Sequence, residues 1–150
     1  MSRKKITPQM VFDAAWQAFI VENKPPAVVM DNETTSCTYN DGRGNKCSFG
    51  LVMPAKLALS IGSNIAITTV MTDHPELFNM PTWMVLAQRM GTQDVLVADT
   101  LQGALHDGLV DFNKLTWNLS LEDRKNVYRT IAEKYGFTIP KGKKNDSSDV

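Results

Sequence analysis

Cys37-Thr38-Tyr39-Asn40-Asp41-Gly42-Arg43-Gly44-Asn45-Lys46-Cys47-Ser48-Phe49 decides the fold class, because here the helical period of the chain gives way. Two short flanks, Cys37-Thr38-Tyr39 and Lys46-Cys47-Ser48-Phe49, enclose a stretch rich in Asn, Asp and Gly, residues that tolerate positive φ. A β-hairpin is the natural reading. Pairing symmetric about Gly42 sets Cys37 opposite Cys47; a register centred between Gly42 and Arg43 sets Thr38 there instead. The sequence leaves both registers open.

Outward from this segment the pattern is helical. On the N-terminal side, Thr7 is placed to cap and Pro8 to open a helix reaching about Glu22, with Phe12, Ala15, Trp16 and Phe19 as its apolar stripe. Asn23-Lys24-Pro25-Pro26 stops it, and residues 27–30 read as a short extended piece. On the C-terminal side, Pro54 opens a short helix through Leu59, ended by Gly62. Residues 65–70 read as a strand and residues 75–79 as a helical turn. Pro81 starts a helix carrying Trp83, Val85, Leu86 and Met90 before Gly91, and Thr92 is expected to cap a helix from Asp94 to about His106. Ser120-Leu121-Glu122-Asp123 is close to a capping box, and the last helix runs to Tyr135 ahead of Gly136. The predicted architecture is α+β: a mainly helical single domain over residues 1–140, with four or more helices and a small antiparallel hairpin sheet. Residues 141–150, rich in Lys, Gly, Asn, Asp and Ser, read as a disordered polar tail.

Composition narrows the function classes. With 43% hydrophobic and 21% charged residues in 150, the chain has enough apolar material for a core without metal or disulfide staples. No apolar run approaches the ~18 residues of a membrane span, and the first ten residues lack a signal peptide's apolar stretch. The net charge is zero, but the bases gather at the ends: between residues 6 and 137 stand ten bases and fourteen acids. An acidic body does not displace counterions from a phosphate backbone, so nucleic acid is not an expected partner. Two cysteines without an export signal fit a reducing cytoplasm.

The segment from Asp94 to His106 separates into two faces. Val97, Leu101, Ala104 and Leu105 cluster on one; Asp99, Gln102 and His106, spaced 3 and 4 apart, project from the other. An open polar face predicts near-neutral substitutions at Gln102 and His106. If the helix packs beside the hairpin, Tyr39, Arg43, Lys46, Asp99, Gln102 and His106 converge on one cleft, with Arg43 or Lys46 supplying charge for an anionic small molecule. The alternative is thiol chemistry, with Cys47 as nucleophile, His106 as base and Asp99 or Asp107 as orienter. Asp107 reaches the imidazole only if the helix frays there. A zinc site from Cys37, Cys47 and His106, with His74 as a further candidate ligand, is the variant of that reading, although the gap between the cysteines is not a C-x₂₋₄-C pair. The leading reading calls for no cofactor.

Cys37-x-Tyr39, then Gly44-x-Lys46-Cys47-x-x-Gly50-x-x-x-Pro54, then Leu101-Gln102-x-x-x-His106-Asp107, Trp117 and the closing Tyr135-Gly136 resemble a small family found largely in bacteriophages and prophages. The resemblance spans roughly residues 10–137. Ala55-Lys56 stands where that family often has an acidic pair, and Leu51 where it often has Cys or a small residue. The resemblance implies a non-enzymatic accessory protein that binds a host protein or sequesters a small signalling molecule, with countering host defence as one such role, in the host cytoplasm. The competing class is a Cys/His-dependent hydrolase or transferase, with or without zinc.

Overall fold

The computed structural model describes residues 4–31, 34–62, 65–93 and 95–140. Residues 141–150, read above as a tail, lie outside the described residues. The chain is a mainly helical α+β domain. Its helices are α1 (Pro8–Ala15), α2 (Ala55–Ile61), α3 (Ile67–Asp73), α4 (Met80–Met90), α5 (Leu96–Leu105) and α6 (Leu121–Tyr135). Two antiparallel pairs accompany them: β1 (Val28–Asp31) with β2 (Thr34–Cys37), and β3 (Val110–Asp111) with β4 (Thr116–Trp117). No helix among the described residues is long and apolar enough to cross a membrane.

The capping signals act as expected at both ends of the chain. Thr7 Oγ1 accepts the Met10 N–H at 3.1 Å, and Ser120 Oγ accepts the Asp123 N–H at 3.1 Å. Gly136, at φ +81°, closes α6 in the left-handed conformation. The first helix does not run uniformly, however: after Ala15 it widens into a π-helix over Trp16–Val21. That wider turn buries three consecutive residues, Ala18, Phe19 and Ile20, where a regular helix would turn one of them outward.

Helix α5 sits at the centre. Val97, Ala98, Leu101 and Leu105 are fully buried, and α1, α3 and α4 all pack against it. Two segments depart from the sequence reading. Residues 67–70, expected as strand, belong to α3. The β-branched run is overruled because the Asp99 carboxylate of α5 accepts the Thr68 N–H at 3.3 Å and the Thr68 hydroxyl at 3.2 Å. Ile67, Val70 and Met71 then bury one helical face. Thr92 does not cap α5: its N–H bonds the Ala87 carbonyl as part of the end of α4, and Val95 takes the N-cap position.

The hairpin is also displaced. The extended piece after Pro26 finds a ladder partner in residues 34–37, with Val28 opposite Cys37. The expected 37–47 hairpin is reduced to one bridge, Asn40 with Lys46, flanked by an Asp41 N–H bond to the Asn45 carbonyl at 3.0 Å and a Cys47 N–H bond to the Tyr39 carbonyl at 3.3 Å. Tyr39 therefore stands opposite Cys47, in neither register expected. The loop chemistry sets this: Asn40 Oδ1 accepts the Gly42 N–H, while Asp41 Oδ1 accepts the Arg43 and Asn45 N–H groups. These side-chain turns centre the loop on Arg43.

Candidate functional site

The polar stripe of α5 is not an open face. Gln102 is 8% exposed and His106 is fully buried, because Ser48 and Phe49 lie on the amide while Phe19, Trp117 and the Ala27 backbone enclose the imidazole. Gln102 Oε1 accepts the Ser48 hydroxyl in a short bond and the Phe49 N–H at 3.4 Å. Its Nε2 donates to Asp107 Oδ1 at 3.0 Å. The amide is thus fixed in orientation, with its oxygen on the turn and its nitrogen on the carboxylate.

Helix α5 ends at Leu105, and His106, at φ −144°, leaves the helical path. Asp107 opens a 3₁₀ turn, so it swings back beside the preceding ring. His106 lies between Phe19 and Trp117, with ring centroids at 5.4 Å and 5.5 Å. Its Nε2 accepts the buried Ala27 N–H at 3.1 Å. The ring proton therefore sits on Nδ1, which lies 2.8 Å from Asp107 Oδ1 and donates to it. Both nitrogens are engaged, and the imidazole serves the carboxylate.

Above Asp107 opens a cleft of about 460 Å³, lined in part by Cys37, Tyr39, Cys47, Gln102 and Phe112. The Asp107 side chain is 40% exposed to it. The residues expected to converge do so in part. Tyr39, Cys47 and Gln102 reach the cleft, and His106 stands behind it, whereas Arg43, Lys46 and Asp99 are not among its lining residues. Arg43 is exposed on the loop, Lys46 is half-buried beside it, and Asp99 is occupied by α3. Tyr39 spends its hydroxyl on the Ile65 carbonyl, at 2.6 Å. Asp107, expected at most as an orienter of histidine, is the centre, and the roles are reversed.

The same hydrogen bonds bear on the thiol and zinc readings. A base must offer a lone pair to the thiol, and the one on Nε2 already takes the Ala27 N–H. Ligating atoms of Cys37, His106 and Asp107 lie within 4.8 Å of one another, so Asp107 stands where Cys47 was expected. Ligation through Nδ1 would move the ring proton to Nε2, which would then face the Ala27 N–H donor to donor. The donor set does not fit a metal held through this histidine.

Both cysteines are free thiols. Burial pushes the Cys47 thiol up to about 12, although the Gly50 N–H, 3.3 Å from its Sγ, and Gln102 oppose that shift. Burial, and then the Asp107 charge, push Cys37 up as well. The folded chain holds these protons more tightly than the unfolded chain, whose thiols titrate near ~8.5. Their stabilising contribution is complete below that pH and is lost as pH climbs toward about 12. Native protein at pH 8 is accordingly expected to leave Cys47 unmodified by iodoacetamide, with labelling only on unfolding. Rapid native labelling of Cys47 would contradict this.

Compared with protein-family models, curated proteins and solved structures, the chain matches none.

Proposed function

We propose that the chain is a non-enzymatic binding protein that sequesters a small molecule in the cleft over Asp107. The observation that carries this reading is the support of that carboxylate. Two buried side chains from the end of α5, Gln102 and His106, both donate to Oδ1 of a residue whose side chain remains open to the cleft. Fixing a partly open carboxylate with two donors pre-organises it for a ligand, which lowers the ordering cost of binding. The volume suits such a role, since ligand pockets run roughly 300–1,000 Å³.

Thiol catalysis draws less support. Its nucleophile is held as a thiol and its base is engaged elsewhere. On the resemblance to phage accessory proteins, the sequestered molecule, or a host protein docking over the same cleft, would be met in the cytoplasm of an infected cell. In that setting the protein would remove a small molecule from a host defence signal.

Asp107→Asn keeps the shape of the side chain and removes its charge. Wild-type protein exposed to bacterial lysate, repurified and heat-released, is expected to yield a small molecule by mass spectrometry that the Asp107→Asn protein does not. Identical extracts from the two proteins would overturn the reading.

A further inference from the structure

We infer that the ligand of this cleft carries a cationic, amidine-type head on a flat apolar body, and that the cleft rejects anions. This rests on the sequestering reading above and assigns its ligand chemistry. Three observations lead to it. Among the described residues lining the cleft, Asp107 is the carboxylate, and neither lysine nor arginine is present. Of the neutral polar groups there, Thr38 Oγ1 donates to the Gly62 carbonyl at 2.9 Å and the Tyr39 hydroxyl to the Ile65 carbonyl. The carboxylate is thus the charged acceptor that a ligand meets. At the same cleft stand two apolar side chains, Ile65 at 41% and Phe112 at 40% exposure, whose faces remain wet without an occupant.

Oδ1 is taken by His106 and Gln102, so Oδ2 is the carboxylate oxygen that receives a charge-assisted N–H bond from a planar cationic head. Phe112 and Ile65 would cover the faces of the attached ring. An anion at the same place would meet the Asp107 charge with no compensating cation. Two sources share the favoured chemistry: an amidinium on an aromatic ring, and a guanidinium on such a ring.

Benzamidine and benzoate separate the charge question, because they share a ring and differ in the sign of the head. Ligand-observed NMR titration of the full chain is expected to show saturable benzamidine binding and none for benzoate. Asp107→Asn is expected to weaken benzamidine about tenfold or more, the loss expected for a charge-assisted pair. Phe112→Ala, at an exposed position, is expected to weaken it with the melting temperature unchanged, which covers the case in which Asp107→Asn folds poorly. Phenylguanidine, titrated in parallel with benzamidine, distinguishes the two sources. Benzoate binding as well as benzamidine, no benzamidine binding, or benzamidine binding indifferent to both substitutions would overturn the inference. An acid recovered from lysate would overturn it too and leave sequestration standing, whereas recovery of nothing would remove sequestration itself.

Discussion

His106→Ala is expected to destabilise the fold by about 3 kcal/mol, within the range for emptying a buried site and orphaning a buried donor. The imidazole is fully buried among Phe19, Trp117 and the β1 approach, so its removal leaves a void that those rings cannot readily fill. It also strands the Ala27 N–H, whose partner is Nε2. For a chain of this size the loss corresponds to roughly 6–12 °C in melting temperature. Thermal unfolding followed by circular dichroism measures it. A change within ~0.5 kcal/mol, the value for an open polar face, would mean that the imidazole is not buried as described.

Gly50→Ala is expected to be at least as damaging, by a different mechanism. A Cβ at Gly50 would lie 1.8 Å from the Tyr39 carbonyl oxygen and 2.8 Å from its carbon. Both are backbone atoms, so no rotamer change relieves the clash. The turn that carries Cys47, Ser48 and Phe49 must move away from Tyr39, breaking the Cys47 N–H bond to that carbonyl and withdrawing the partners of Gln102. A loss of about 3 kcal/mol or more follows, at the upper end for overpacking. Gly103→Ala is the control: nothing lies within 4 Å of its added Cβ, and the helix should gain up to ~1 kcal/mol. Equal denaturation midpoints for the two variants would contradict the close approach at Gly50.

Helix ends are the part of this fold most legible in the sequence, because Thr7-Pro8, Ser120, Gly62, Gly91 and Gly136 act locally through their own backbone and side chains. What is not legible depends on distant partners. The β-branched run ahead of Asp73 becomes helical through Asp99, far along the chain, and the loop register follows from Asn40 and Asp41 side chains capturing backbone donors. The β3–β4 pair, two residues a side, carries too little pattern to be seen.

The candidate site divides in the same way. Gln102 and His106 stand out by their spacing, but a helical projection alone makes them a wet face, since nothing local announces that Ser48 and Phe49 will cover the amide, or Phe19 and Trp117 the imidazole. Asp107 was readable in principle. Gly108 follows it directly, and a Cβ there would lie 2.8 Å from the Gly103 carbonyl oxygen, so the glycine permits the sharp exit from α5. His-Asp-Gly after an apolar helix is a stop signal that turns the aspartate back onto the histidine.

The tautomer of His106 is the measurement that reaches the centre of this picture, because it decides whether the imidazole serves the carboxylate or stands free to act. ¹⁵N-resolved NMR of the ring nitrogens at neutral pH reads it directly. The expected result is a proton on Nδ1, bonded to Asp107, with Nε2 unprotonated and accepting from Ala27. A proton on Nε2, leaving the Nδ1 lone pair free beside Asp107 and Cys37, would contradict it and return this histidine to service as a base or a metal ligand.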